Sequence, residues 1–505
     1  MATPVEQQDK KGFLNFIEKW GNRLPDPFFI FVYLAIFVVL LSWLVSSLGT
    51  TVVHPGTGEE LAILSLVSGE GIRYILAETI NNFTGFAPLG LVLVMMLGIG
   101  LAERVGLMET AIKKSILNAP KALITYAVIF TGIMGNLASD AAFILVPPLA
   151  AMVFVSVGRH PLAGLAAGFA GTGAGFTANI LITGTDALLS GISTEAARTI
   201  DEAFVVTPVD NWYFMSASVL VMAIVGALIT EKMVEPRLGT YSGRTDKTFE
   251  PVSKQENKGL LNALIAGAVY IGLIALLVFW PGGSPVRNEE GGIIPSPFLS
   301  GIVPIILFFF ITVAVAYGKT VGKIKSSKDI PGFMSDAIKD MSGYIVLIFA
   351  AAQFISYFNW SNLGIWLAVN SAEFLTSINM TGLPVMVAFS VLAALLNLLI
   401  FSGSAQWALM APIFIPMFML LDYHPAFVQL AFRIADSSTN IITPLNPYIL
   451  IVLAFMREYD KKAGLGTLIS LMLPYSIIFF GVWVVMMIIF ALTGLPIGPG
   501  ISLRM

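Results

Sequence analysis

Long apolar runs alternate with short polar segments along the whole chain. Runs near 27–49, 86–102, 162–188, 212–234, 259–280, 298–317, 341–358, 427–456 and 464–493 lie close to the ~20 residues with which a helix rising 1.5 Å per residue crosses ~30 Å of hydrocarbon. Each is predicted to span a membrane. Two further apolar segments, 121–157 and 383–421, are too long for one span and too interrupted by Gly, Pro, Ser and Asn for two. These are predicted to be re-entrant hairpins. The pattern therefore predicts an all-α polytopic membrane protein with nine transmembrane helices and two hairpins.

Composition agrees with that reading. Of the 505 residues 56% are apolar and only 12% charged, and the mean hydropathy is +0.84; a soluble domain carries about twice the charge. A net charge of −3 gives no footprint for nucleic acid. The absence of cysteine excludes disulfides, thiolate metal sites and a Cys nucleophile. His54, His160 and His424 each stand beside a proline, a turn signal that places them in loops. Met1 to Asp26 is polar or amphipathic, and the apolar run that follows has the length of a retained helix rather than a cleaved signal.

Charge placement predicts orientation. With the N-terminus in the cytoplasm and each hairpin returning to its own side, only Arg73, Arg198, Arg287 and Arg504 of the 28 Lys and Arg fall outside, and Arg433 falls within a span. The rest are cytoplasmic, as the positive-inside rule requires. Treating either hairpin as a single crossing would reverse everything after it. Hairpin 121–157 is thus expected to enter from the cytoplasm, hairpin 383–421 from outside, and the C-terminus to lie outside. Segment 1–26 is a cytoplasmic extension, 235–258 a polar cytoplasmic linker, and 27–234 and 259–505 are two halves.

The halves repeat. In the first, Gly-Asn-Leu-Ala-Ser-Asp-Ala-Ala-Phe (135–143) leads to Val-Pro-Pro (146–148), then to Phe-Thr-Ala-Asn-Ile-Leu-Ile-Thr-Gly-Thr-Asp (176–186). In the second, Phe-Ser-Gly-Ser-Ala-Gln-Trp (401–407) leads to Met-Ala-Pro (410–412), then to Ser-Ser-Thr-Asn-Ile-Ile-Thr-Pro-Leu-Asn-Pro (437–447). Pro148 pairs with Pro412, Phe143 with Trp407, Asn179 with Asn440 and, allowing one gap, Thr183 with Thr443 and Asp186 with Asn446. Hairpins entering from opposite faces make the repeat inverted, and matched interruptions in a transporter point to its binding site. Helix breaks free backbone groups that lipid cannot satisfy, so they must line protein or a wet cavity. Freed carbonyls with the oxygens of Asn179, Thr183, Asn440 and Thr443 suit a hard cation such as sodium, and helix N-termini at the hairpin tips suit an anion.

Four charges stand where an ionised group is costly: Asp140, Asp186, Arg433 and Asp436. Arg433 cannot lose its proton. It either clamps Asp436, three residues on along the helix, or receives a substrate carboxylate in a bidentate pair. Asp140, Asp186 and Asp436 are candidates for coupling to a proton or cation, and Asp140 serves equally as a hairpin-tip cap. Trp407, just past the Ser402–Ser404 tip, offers either a stacking face for an aromatic ligand or a packing anchor.

Three stretches, FTANILITGTDALLSG (176–191), SGSAQWALMAPIF (402–414) and FRIADSSTNIITPLNPY (432–448), resemble the p-aminobenzoyl-glutamate transporter (AbgT) family, and the resemblance runs from the first span to the last. It implies a bowl-shaped homodimer in the bacterial inner membrane, with one transport core per subunit. Its substrates would be p-aminobenzoyl-glutamate-like, with efflux of sulfonamide antimetabolites in some members. It assigns function to Asp186, Asn397, Ser404, Trp407, Pro425, Arg433, Asp436 and Pro444. The expected activity is sodium- or proton-coupled secondary transport with no cofactor; a sodium-coupled dicarboxylate carrier is the alternative. The sequence contains no HExxH, P-loop or GxSxG-like elbow and no mid-span histidine, so an enzyme is not expected.

Overall fold

The computed structural model describes residues 25–505 apart from 56, 139, 176, 242–250, 282 and 295, together with all side chains of those residues except at 138, 140 and 141. Most of the N-terminal extension, the middle of the 235–258 linker and the Asp140 side chain therefore lie outside the described residues. Seven helical runs among the described residues are long and apolar enough to cross a membrane.

Helix α1 (Pro27–Ser47) is followed by a short antiparallel ribbon, β1 (Thr51–Val53) and β2 (Glu60–Ala62). Helices α2 (Gly69–Thr84) and α3 (Ala87–Arg104) form one long crossing, and α4 (Leu107–Leu117) follows, with the chain bending by 112° between α4 and 121–137. The first predicted hairpin consists of α5 (Ile124–Met134), a 3₁₀ turn at Gly135–Ala138 and α6 (Asp140–Ser156). At ~1.5 Å per residue neither arm alone reaches across ~30 Å. Next come α7 (Pro161–Ala174) and α8 (Gly184–Ala197), with the described residues of 175–183 non-helical between them, and then α9 (Trp212–Ile229), which continues through a π turn at Thr230–Val234.

The second half runs α10 (Lys254–Val278), α11 (Ile302–Thr320), α12 (Asp329–Asp340), α13 (Ser342–Trp360) and α14 (Leu363–Ser377). The second predicted hairpin is α15 (Leu383–Asn397) and α16 (Gly403–Met419). Helices α17 (Pro425–Thr439) and α18 (Tyr448–Tyr459) follow, separated by 440–447, and α19 (Leu465–Thr493) is last. Helices α2, α4, α12 and α14 escape the sequence reading because they are too short or too polar to register as spans.

The repeat is clearer in the helices than in the letters. His160 and His424 each stand twelve residues after the aligned prolines Pro148 and Pro412. Each caps the next helix through its Nδ1, accepting from Leu162 N at 3.2 Å and from Ala426 N at 3.1 Å, with proline at the first helical position. Counted from these caps, α8 and α18 begin at equal distances without a gap. Asn440 therefore occupies the C-cap of α17 while Asn179 sits within the first break, so their pairing by letters is corrected by the helix frame.

Every residue of α7 and α17 is buried. These two helices form the centre of the molecule, while Leu264, Ile271 and Leu273 of α10 are more than half exposed, as lipid contact requires. Between lipid-surrounded helices the hydrophobic effect adds little, so close backbone approach at small residues does the work. A Cβ on Gly164 of α7 would lie 2.5 Å from the Ala150 carbonyl oxygen of α6, and one on Gly168 would lie 2.8 Å from the Pro147 Cα. Gly164→Leu is expected to lower the thermal midpoint in detergent, with an over-packing cost of about 1–3 kcal/mol. Gly272→Leu on α10, where a Cβ meets nothing within 4 Å, should leave that midpoint unchanged.

Candidate functional site

The first break is joined to a helix of the second half by a buried ion pair. Asp186 stands at the third position of α8, and its Oδ2 accepts from the Thr183 backbone N–H at 2.7 Å and the Thr183 hydroxyl at 2.9 Å, satisfying the free start of that helix. Asn179 Nδ2 lies 3.4 Å from the same oxygen. Asp186 Oδ1 accepts from Arg433 Nη2 at 2.6 Å, and the same nitrogen donates to the Thr177 carbonyl at 3.0 Å. The Thr177 and Ser437 hydroxyls lie 2.5 Å apart, adding a second link. Arg433 is 0% and Asp186 4% exposed.

The expected clamp on Asp436 is corrected here: Arg433 pairs instead with Asp186 of the other half. Asp436, three residues on, turns instead toward the tip of the second hairpin. A Cβ on Gly403 would lie 2.8 and 2.9 Å from its two carboxylate oxygens, so only glycine allows that approach.

Side-chain amides and hydroxyls satisfy the backbone groups that the breaks release. In the first break, Asn136 Nδ2 donates to the Gly175 carbonyl at 2.9 Å, Trp212 Nε1 to that of Ile180 at 2.7 Å, and the Ser216 hydroxyl to that of Asn179 at 3.2 Å. In the second, Asn397 Nδ2 reaches the Asp436 carbonyl at 3.0 Å, Thr439 Oγ1 at 2.8 Å and Asn440 Oδ1 at 3.1 Å. Thr443 donates to the Leu398 carbonyl at 3.1 Å. Asn446 donates to the Asn440 carbonyl at 2.9 Å and accepts from Tyr448 N at 2.9 Å, opening α18. The four residues expected to offer oxygens to a cation thus divide into one pair around Asp186 and another around Asn397.

A partly open cavity of about 230 Å³ lies between the starts of α8 and α16. Thr185, Ser402, Gly403 and Ser404 bring two helix N-termini to it, and α17 contributes Asp436 and Asn440. Phe143, Phe401 and Tyr448 supply its aromatic wall. The positive ends of two helices favour an anionic group there.

Trp407 is fully buried, with its ring stacked on Phe432 at 4.6 Å. Its Nε1 donates to the Ser193 hydroxyl at 3.1 Å, Ser193 to Gln429 Oε1 at 2.7 Å, and Gln429 Nε2 to Asn211 Oδ1 at 2.9 Å. Ser404 stands at the cavity mouth, its hydroxyl 3.1 Å from that of Ser402. Pro425 opens α17, roughly 16 Å along the helix from Asp436, and Pro444 is half-buried in the second break outside the cavity wall. Asn136, Thr177, Ser193, Trp212, Ser216, Gln429 and Ser437 were not anticipated from the sequence. As isolated polar residues within or beside apolar runs they carry no spacing signal.

Interrupted helices from two matched halves, enclosing a polar and aromatic cavity within an apolar helical body, define a membrane transporter. The chain belongs to the AbgT putative transporter family, whose family model matches residues 12–505. It is 44% identical over 507 residues to the p-aminobenzoyl-glutamate transport protein of Escherichia coli (strain K12), covering 100% of this chain and 99% of that one. Two solved structures are similar. The Alcanivorax borkumensis YdaH transporter has a TM-score of 0.89 and 38% identity, covering 94% of this chain and 100% of that one. Neisseria gonorrhoeae MtrF, described as illuminating a class of antimetabolite efflux pumps, has a TM-score of 0.91 and 39% identity, covering 97% of this chain and all of that one.

Removing one partner of a buried ion pair strands the other, at a cost of about 3–5 kcal/mol. Arg433→Ala and Asp186→Ala are therefore each expected to lower the unfolding midpoint markedly in detergent. Arg433→Met combined with Asp186→Leu should recover most of the loss.

Proposed function

We propose that the protein is a secondary transporter of p-aminobenzoyl-glutamate-like anions, driven by a sodium or proton gradient. The observation that carries this reading is the cavity between the two breaks, where two helix N-termini and an aromatic wall stand together. A p-aminobenzoyl-glutamate has two carboxylates and a benzene ring, and these are the groups such surroundings accommodate. The E. coli relative's name, at 44% identity over the whole chain, supports the same substrate class. Likeness to MtrF extends the reading to export of antimetabolites, with sulfonamides that mimic p-aminobenzoate as the expected drugs.

In the proposed arrangement nine crossings and two re-entrant hairpins form each subunit of a homodimer in the bacterial inner membrane. The N-terminus is cytoplasmic and the C-terminus outside. The short arms α5, α6, α15 and α16 support the hairpins, and the cation asymmetry supports the orientation. Transport moves the core carrying α7, α8, α17 and α18 past the rest of the subunit. The Arg433–Asp186 pair opens during that cycle, so that Arg433 receives a substrate carboxylate while Asp186, Asp436 or Asp140 takes up the coupling ion. Asn179, Thr183, Asn440 and Thr443 are the oxygens a sodium ion would use after such a rearrangement.

Counterflow in proteoliposomes, with sodium and proton gradients imposed separately, tests this reading. Labelled p-aminobenzoyl-glutamate should accumulate against its own gradient under one of the two, and Arg433→Lys should reduce the rate at least tenfold, because an ammonium cannot reproduce the planar fork. Accumulation of succinate but not of p-aminobenzoyl-glutamate would instead identify a dicarboxylate carrier.

A further inference from the structure

The cavity is lined by a carboxylate with an unanswered oxygen. Asp436 is 2% exposed, and its Oδ1 is buried without a hydrogen-bond partner among the described residues. The hydrogen bonds of Arg433 Nη2 and of Asn397 go elsewhere, and Asn440 stands beside the carboxylate in the same cavity wall without closing on Oδ1. Arg433 is turned to Asp186 and the Thr177 carbonyl, and Asn397 donates to the backbone oxygen of Asp436 rather than to its carboxylate. A buried acceptor left in this state costs free energy until a donor reaches it.

The walls beside that oxygen are aromatic. Phe143 of α6 and Tyr448 of α18 lie parallel, with ring centroids 4.3 Å apart and planes 7° apart. Phe401, at the tip of the second hairpin, meets Tyr448 edge-on at 6.5 Å. A single acceptor at the side of an aromatic slot matches a neutral donor attached directly to a ring. An arylamine has that form: its ring packs among the side chains, and its N–H reaches the carboxylate without bringing a second desolvated charge into the cavity.

We propose that this slot is the arylamine subsite. The 4-amino group of the substrate donates to Asp436 Oδ1, and its ring lies against Phe401 and the Phe143–Tyr448 pair. The assignment rests on the substrate class proposed above and deepens it, because it makes the amine, not the glutamate, the group that selects among aryl anions.

Equilibrium binding to the purified full-length protein tests the assignment by calorimetry with p-aminobenzoyl-glutamate and benzoyl-glutamate, which differ only in the amine. The parent should bind the amino compound about 10- to 100-fold more tightly, as a hydrogen bond to a charged group provides. Asp436→Ala should erase that preference. Asp436→Asn, which keeps an acceptor oxygen but cannot carry a proton, should retain much of it, whereas a carboxyl that only carries protons would leave the parent indifferent to the amine. Phe401→Leu should weaken both ligands while preserving their ratio. Equal binding of the two ligands by the parent would overturn the subsite and leave the substrate class standing; binding of neither would overturn the substrate class itself. The parent comparison needs no variant to fold.

Discussion

A guanidinium with no exposure to water cannot be discharged, and its hydration has to be replaced group by group. Arg433 does this at Nη2 by reaching across the molecule. Its Nη2 holds Asp186 at the start of α8 and the Thr177 carbonyl in the first break, so a helix of the second half is fastened to the interruption in the first. The geometry of both halves follows from this contact. Asp186 is free to take it because its other oxygen is already fixed by Thr183, and α17 is free to offer it because Asp436, three residues further on, packs against Gly403 instead. Arg433 Nε remains buried without a partner among the described residues, which makes this a contact able to be exchanged.

The breaks themselves obey a second constraint. A span interrupted at mid-depth exposes carbonyls that lipid cannot bind, and here the answer comes from amide and hydroxyl side chains on neighbouring helices. Asn136 and Asn397 play matching parts, each sitting at the turn of a helix pair and donating to the backbone of the interrupted helix of its own half. Trp212 and Ser216, one turn apart on α9, hold two consecutive carbonyls of the first break. This scaffold keeps two helix starts pointing into one cavity instead of collapsing on each other.

Small residues explain how such polar centres fit inside so apolar a body. Helix α7 meets α6 through Gly164 and Gly168 at distances that admit no side chain, and α16 meets Asp436 through Gly403. Close backbone contact replaces the hydrophobic drive that a bilayer does not supply. The outer helices, exposing Leu264, Ile271 and Leu273, need only be greasy. The demand for fit is concentrated in the middle.

From sequence alone, the long apolar runs, the two interrupted spans, the matched prolines, the buried positions of Asp186, Arg433 and Asp436, and the family could all be read. Hydrophobic length, helix-breaking residues and charge in an apolar setting are properties of neighbouring letters, and they survive without coordinates. The tertiary structure alone decided which partner Arg433 takes. A local rule favoured the residue three positions on, and a contact 247 positions distant in the chain prevailed. It also decided that Trp407 faces Phe432 while Phe143, Phe401 and Tyr448 line the cavity, and that Asn440 caps a helix where Asn179 does not. Those outcomes depend on how helices from two halves rotate against each other, and side-chain direction across such a contact leaves no periodic trace in the sequence.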